Sequence, residues 1–330
     1  MRIGIVGVSG YGGSELLRLC VQHPGFEVAY VAGESTAGQT LAQRFPTLAS
    51  HAAGKLTIQP FVPEKVAGIE LLFASLPTGK SREPLARIAP SIRIVDVGGD
   101  HRFVEGWTYG LTELPGQRAK IKGTKRLANP GCYPAAALLA LAPLLKEGLV
   151  EPEGIVIDAK SGVTGTGRGG ASDFGYAETN EDVFGYGLEA HPHVPEMQQA
   201  LAQVSGRKAS IAFTPHLVPM TRGILATCYA RPRGAASAAR LYEAAQACYA
   251  GEPFVKVLAL DKGRGPHTKW ATASNMAFLS YAVNAETGLV VALGAIDNLG
   301  KGASAQAVQN ANLMTGQPET AGLSALPVWT

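Results

Sequence analysis

The first 32 residues set the strongest limit on how this chain can fold. Arg2 to Val6 reads as a buried strand, and Gly7-Val8-Ser9-Gly10-Tyr11-Gly12-Gly13 as a glycine-rich turn. Ser14 to His23 carries Leu16, Leu17, Leu19 and Cys20 on one helical side, and Glu27 to Ala32 is a second strand. Strand, turn, helix and strand within ~30 residues make a βαβ unit with parallel strands. The glycines fall at Gly7, Gly10 and Gly13, a spacing of G-x-x-G-x-x-G rather than G-x-G-x-x-G. Between a first strand and a helix, such a turn points backbone amides at an anion such as a pyrophosphate. A tight turn without a ligand is the plainer alternative.

Apolar runs at Leu71 to Ser75 and Ile92 to Val97 extend the pattern, each followed by a turn rich in Gly, Pro or Asp. Buried strands alternating with helical stretches predict a parallel, doubly wound sheet. The character changes after Ala128. An Asn129-Pro130-Gly131-Cys132-Tyr133-Pro134 turn opens an Ala/Leu-rich helix from Ala135, which Pro143 is expected to end or kink. Longer, alternating strands follow at Gly154 to Lys160, Ser210 to Val218, Ile224 to Arg231 and Val290 to Ile296. A helix at Ala236 to Tyr249 and a last one at Ser304 to Thr315 complete the pattern. At ~150 residues per domain, 330 residues suggest two. The expected fold class is α/β: a Rossmann-type doubly wound domain plus an α+β catalytic domain with a mixed sheet. The dinucleotide domain is expected at 1–130, with 300–330 packing back on it. The catalytic and oligomerisation domain is expected at 131–299.

Composition removes other classes. Charged residues are 17% of the chain and net charge is +3, without a basic block, which argues against disorder, nucleic acid and an anionic membrane surface. No apolar stretch reaches the ~18 residues of a membrane span, and the N-terminus does not read as a signal peptide. Cys20, Cys132, Cys228 and Cys248 are widely spaced, with no CxxC pair. A cytoplasmic enzyme is expected.

Cys132 stands at a helix start, where amides stabilise a thiolate; it is the expected nucleophile. The other three cysteines lie in apolar elements and read as small core residues. His191-Pro192-His193-Val194-Pro195-Glu196 offers two histidines and a carboxylate, an acid–base group with a near-neutral pKa. No metal is expected, because neither cysteine nor an i, i+4 histidine pair supports zinc. Lys160-Ser161-Gly162-Val163-Thr164-Gly165-Thr166-Gly167-Arg168 is a second glycine-rich loop whose amides and cations suit a carboxylate or phosphate. It lacks the GK[ST] of a P-loop. Arg102, after the Ile92 to Val97 strand, can hold a leaving phosphate or stand solvated. Asp297 and Asn298 can reach a nicotinamide or cap the last helix.

GVSGYGGSELLRL, YGLTEL, NPGCYPAAALLAL, DAKSGVTGTGR, HPHVPEM, PHLVPMTRGIL and DNLGKGASAQAVQNANLM together resemble the N-acetyl-γ-glutamyl-phosphate reductases, within the aspartate-semialdehyde dehydrogenase-like group. The resemblance runs nearly end to end. It implies NADPH-dependent reductive dephosphorylation of an acyl phosphate through a Cys132 thioester, in arginine biosynthesis, by a homodimer or homotetramer. Cys132, His191, His193 and Glu196 would be catalytic. Gly7, Ser9, Gly10, Tyr11, Gly12, Gly13, Ser35, Thr36, Ser75, Pro77, Ser161, Gly162 and Asn298 would hold the coenzyme. Arg102, Asn129, Lys160 and Arg168 would hold the substrate. Three positions depart from the family pattern: Thr78 replaces a histidine, Pro192 an arginine, and Gly33-Glu34-Ser35 a Ser-Arg-Ser segment. Glu34 leaves NAD as an alternative coenzyme, since an acidic residue there binds a ribose diol. The competing readings are a lysine-pathway aminoadipyl-phosphate reductase, a cysteine hydrolase and a non-catalytic NADP-binding sensor.

Overall fold

The computed structural model describes residues 1–169 and 174–327. Its contacts divide the chain into two compact units. The first holds Met1–Thr112, Gln117–Pro130 and Ala303–Ser324; the second holds Glu113–Gly116, Gly131–Gly302 and the chain from Ala325.

The first unit is built on a six-stranded sheet: β1 (Arg2–Val6), β2 (Glu27–Ala32), β3 (Leu71–Ala74), β4 (Arg93–Asp96), β5 (Thr108–Tyr109) and β6 (Arg126–Ala128). The order is β2-β1-β3-β4-β6-β5, and every pairing is parallel. Ile3, Ile5, Leu71, Leu72, Phe73, Ile94 and Val95 are all fully buried, as strands covered on both faces require. Strand order reverses between β1 and β3. Their carboxyl ends therefore form the crevice where open α/β sheets bind ligands.

The first helix runs Tyr11–Cys20, three residues earlier at each end than the sequence suggests. Gly10, extended at φ −74° and ψ 169°, is its N-cap, so Gly12 and Gly13 belong to the first turn rather than the loop. It stops at Cys20 because Pro24 disfavours helical backbone at His23. The Ala305–Thr315 helix packs on the Tyr11–Cys20 and Gln117–Gly123 helices. It buries Gln306, Gln309, Asn310 and Asn312, whose amide NH2 groups donate to Thr112, Glu319, the Gly110 carbonyl and the Glu319 and Ala321 carbonyls, respectively.

The second unit holds β7 (Ile155–Gly162), β8 (Phe184–Gly185), β9 (Ile211–Val218), β10 (Ile224–Ala230), β11 (Val255–Val257), β12 (Ala277–Val283) and β13 (Val290–Ile296). The order is β11-β12-β13-β10-β7-β9-β8, with β7–β9 and β11–β12 parallel and the other pairs antiparallel. In β10, buried Ile224, Ala226, Cys228 and Ala230 alternate with half-buried Leu225, Thr227 and Tyr229. The buried face carries the Cys132–Lys146 and Ala238–Cys248 helices. The opposite face is open, with Val156 41% exposed. Gly294 lets the helix approach β13: a Cβ there would lie 2.4 Å from the Ala136 carbonyl.

Pro143 does not end its helix, which runs from Cys132 to Lys146. A proline removes the N–H that would bond the carbonyl four residues earlier. That carbonyl, of Leu139, instead accepts the Tyr249 hydroxyl at 2.7 Å. The Ala140 carbonyl accepts from Tyr281.

Candidate active site

Cys132 occupies the first position of a 15-residue helix, with Gly131 as its extended N-cap. No side chain caps this end from within the helix. The first-turn amides there favour a negative sulfur. Gly302 packs on the residue so closely that a Cβ would come 2.8 Å from the Cys132 Cβ. Glu196, 4% exposed, accepts the Gly131 N–H at 2.8 Å. Its carboxylate therefore holds the turn carrying the thiol, a use the sequence did not suggest.

Glu196 lies in the first turn of the His193–Ser205 helix. This bond joins the starts of the two helices and brings the histidines toward Cys132. The rings of His191 and His193 are 4.8 Å apart. Tyr133, Tyr186 and Phe213 pack edge-on against His191 at 6.0, 5.8 and 5.1 Å. Desolvation by that cage drives the His191 pKa down to about 4, so the near-neutral value expected from sequence does not hold for this ring. Its Nδ1 accepts the His193 backbone N–H at 3.1 Å. At neutral pH the ring is thus uncharged with its proton on Nε2, a fixed hydrogen-bond donor. Tyr133 and Tyr186 bond each other at 3.0 Å, and Tyr133 also donates to the His216 carbonyl. Burial pushes the Tyr186 phenol up to about 12 and that of Tyr133 far above its ordinary value. A thiolate at Cys132 adds to both shifts, which marks its closeness to the pair.

The glycine-rich loop after β7 departs from expectation. Lys160 lies on the half-open face of the sheet with Asp158 and His216, while Ala159 and Ser161 are buried on the face bearing the Cys132 helix. Its ammonium is paired with Asp158 at 2.7 Å, and His216 meets the same carboxylate at 3.2 Å. Strand parity thus turns Lys160 away from Cys132. Ser161 donates to the Gly162 carbonyl. At Gly162 a Cβ would meet the Met220–Arg222 backbone at 2.8 Å. Asn298, 2% exposed, donates to Thr164 and accepts the Gly223 N–H, so its amide bonds one loop to another. Arg168 is exposed. Asp297 caps the turn before the last helix, accepting the Leu299 and Gly300 N–H groups, and takes a two-pronged bond from Arg222 at 2.8 and 3.1 Å. Arg222, Tyr186 and His216 lie outside the sequence-predicted set. Among the described residues, no group of three His, Cys, Asp or Glu side chains is placed to hold a metal.

In the first unit the glycine turn fits a dinucleotide. Gly7 has φ +79°, and a Cβ there would lie 2.0 Å from the Ser75 carbonyl. A Cβ on Gly13 would lie 2.0 Å from the Gly7 carbonyl, so the helix start can press on the turn only as glycine. Gly12 approaches the Ser75 hydroxyl in the same way, at 2.8 Å. The amides of Tyr11, Gly12 and Gly13 form the helix start, which no side chain caps. Ser9 and Thr36 hydrogen-bond each other and are buried, which turns Thr36 inward; Glu34 and Ser35, beyond β2, are exposed. Pro77 is exposed in the turn after β3. Arg102 is half-buried and donates Nε to the Asn129 carbonyl at 3.0 Å. The Asn129 side chain is fully buried, donating to the Ala303 carbonyl and accepting from Asn310. Both of its ends are used inside the fold, which suits fixing the turn before Cys132 better than binding substrate.

Two family descriptions match this chain: "Semialdehyde dehydrogenase, NAD binding domain" over residues 2–123 and "Semialdehyde dehydrogenase, dimerisation domain" over 132–298. It is 56% identical over 330 residues to an N-acetyl-gamma-glutamyl-phosphate reductase of Bradyrhizobium sp., covering 100% of this chain and 99% of that one. A reductase of the same name from Moorella thermoacetica is 42% identical, at 98% coverage of both. Among solved structures, aspartate semialdehyde dehydrogenase II of Vibrio cholerae, complexed with ASA, superposes with a TM-score of 0.75 at 15% identity, covering 96% of this chain and 98% of that one. The aspartate semialdehyde dehydrogenase of Candida albicans, with NADP, gives 0.74 at 14% identity, over 95% and 98%. At such identities these two structures speak for the fold.

Proposed function

Because the chain belongs to the N-acetyl-gamma-glutamyl-phosphate reductase family, we propose that it reduces N-acetyl-γ-glutamyl phosphate to N-acetylglutamate semialdehyde, with release of phosphate. The observation that carries this reading is Cys132 at a helix start, its turn held by Glu196 and its surroundings shared with a neutral His191. The Cys132 thiolate attacks the acyl carbonyl; the carbon–oxygen bond to phosphate breaks and a thioester remains. The His191 Nε2–H donates to the carbonyl oxygen as negative charge develops there, a role a neutral imidazole fills without losing its proton. The glycine turn would hold a nicotinamide coenzyme, whose chemistry would supply the hydride needed to take the thioester to the aldehyde. Expulsion of the Cys132 thiolate then needs no proton, so the single proton consumed goes to the departing phosphate. Arg102 is the residue we assign to that phosphate.

The direct test runs backwards. N-acetylglutamate semialdehyde, phosphate and NADP should give phosphate-dependent NADPH formation, and the homologue one carbon longer should be at least tenfold poorer in kcat/KM. A preference for the longer aldehyde would move the chain to the lysine-pathway reading.

His191→Asn should lower kcat by tenfold or more while KM changes little, because the donor acts on developing charge. The wild-type imidazole contributes stability above pH 6.5, where it is neutral in folded and unfolded chains alike. That contribution is lost as pH falls toward 4, because the unfolded ring protonates first. Thermal melts of wild type and variant across that window should converge at the acid end.

We assign NADP as coenzyme, with Ser35 and the helix-start amides as donors and Glu34 as the residue limiting discrimination. Glu34→Arg should raise the NADP/NAD ratio of kcat/KM by roughly tenfold, about 1.4 kcal/mol. An unchanged ratio would mean that Glu34 does not face the ribose. The open face of the seven-stranded sheet, with Val156, Leu225, Tyr229 and Leu293, supports assembly as a homodimer or homotetramer. No helix among the described residues is long and apolar enough to cross a membrane. A reaction run by a thiol fits a reducing compartment, and we place the enzyme in the cytoplasm.

A further inference from the structure

The first unit contains a cavity of about 290 Å³ lined by Arg82, Leu85, His101, Val104, Trp107 and Arg126. It lies between the Arg82–Ala86 helix and the loop that follows β4. No carboxylate lines it. Arg82 donates to the Asp100 carbonyl at 3.0 Å, and Arg126 to the Ile92 and Lys125 carbonyls at 2.6 and 3.3 Å. Both guanidiniums are thus held in place by backbone, and neither forms an ion pair among the described residues. Burial pulls the Arg126 pKa below its ordinary value, an electrostatic cost that an anion would offset. His101 is 4% exposed, with Nδ1 on Asp96 at 2.7 Å and its ring stacked on Trp107 at 3.8 Å. With Nδ1–H donating to the Asp96 carboxylate, the ring is held in one orientation, and its Nε2 has no partner among the described residues.

We propose that this cavity binds a small organic anion with a flat body. Its acidic group sits between Arg82 and Arg126, and its body lies against Trp107 and Val104. Guanidinium forks suit a carboxylate or phosphate, and an apolar wall beside them suits a ring. The volume lies at the small end of ligand pockets, about 300 Å³. The same loop carries Asp100, which accepts the Gly79 and Ser81 N–H groups, and Arg102, which holds the Asn129 carbonyl. A ligand that fixes this loop therefore acts on the turn leading into Cys132.

The test uses the full chain and 4-nitrobenzoate, a flat carboxylate that quenches tryptophan. Saturable quenching should appear in wild type, and its saturable part should disappear in Trp107→Phe. The neutral 4-nitrobenzyl alcohol should bind at least tenfold more weakly. Arg126→Gln should weaken binding at least fivefold. Should that variant fold poorly, Arg82→Gln, on an exposed side chain, should do the same. Quenching that survives in Trp107→Phe, that ignores the ligand's charge, or that is unchanged in Arg82→Gln would overturn the proposal.

Discussion

Replacing Cys132 by alanine is expected to lower kcat at least a thousandfold, about 4 kcal/mol of barrier, while the NADPH dissociation constant changes less than twofold. The thiol begins a helix in the second unit, and the coenzyme-binding turn we assign, with Gly7 and Gly13, belongs to the first. Loss of the covalent step should therefore leave dinucleotide affinity in place. Cys132→Ser should be nearly as poor, because a hydroxyl is neither ionised at neutral pH nor a good leaving group. Cys20→Ala is the control. That thiol is fully buried, burial raises its pKa far out of reach, and its loss should leave the rate unchanged. More than a tenth of the wild-type rate in Cys132→Ala would remove the thioester from the account. Stopped-flow measurement of the chemical step, with fluorescence titration of NADPH, supplies both numbers.

The largest effect on stability is expected at Lys301. Its ammonium meets Glu113 at 2.5 Å, and both side chains are 0% exposed. The Phe254 ring lies 5.7 Å from the same ammonium. Glu113 sits in a four-residue segment that belongs to the second unit, although Thr112 and Gln117 on either side belong to the first. The pair fixes that segment against the turn at Gly300–Ser304. Lys301→Met leaves a buried carboxylate without its counter-charge and should cost ~3–5 kcal/mol. For a chain of this size that is a fall in Tm of roughly 4–7 °C. Lys301→Met combined with Glu113→Leu should recover most of the loss, since no charge is then stranded. Urea unfolding of wild type, single and double variants decides it. A double variant no better than the single one would show that shape at this point matters more than charge.

The parts of the fold that could be read in advance are those whose physics is local. β1, the glycine turn and β2 are close in the chain, and period and punctuation identify them. The alternation in β9 and β10 is similarly explicit, because one sheet face is covered and the other open. β12 was not anticipated: Leu279, Ser280 and Tyr281 are all buried, so no alternation marks it. The helix runs on past Pro143 because a hydroxyl 110 residues away, that of Tyr249, takes up the carbonyl the proline leaves free.

The candidate site divides along the same line. Cys132 was legible from its own turn, and the HPHVPE segment from its residue types. The bond from Gly131 to Glu196 spans 65 residues and carries no motif. The His191 pKa depends on Tyr133, Tyr186 and Phe213, which come from three separate places in the chain. The facing of Lys160 follows from strand parity, which a loop motif does not display: residues 158 and 160 face opposite to 159 and 161. Asn129 looked like a substrate contact because polar residues beside a nucleophile often are. Its burial against Ala303 and Asn310 is a fact of tertiary packing alone.

The most direct test of the central claim is a single-turnover experiment without phosphate. Enzyme mixed with N-acetylglutamate semialdehyde and NADP should form NADPH in a burst equal to the enzyme concentration, then stop. Intact-mass and peptide mapping should find one N-acetylglutamyl group, on Cys132, and added phosphate should remove it and restart turnover. A burst without a Cys132 adduct, or steady turnover that ignores phosphate, would contradict the account.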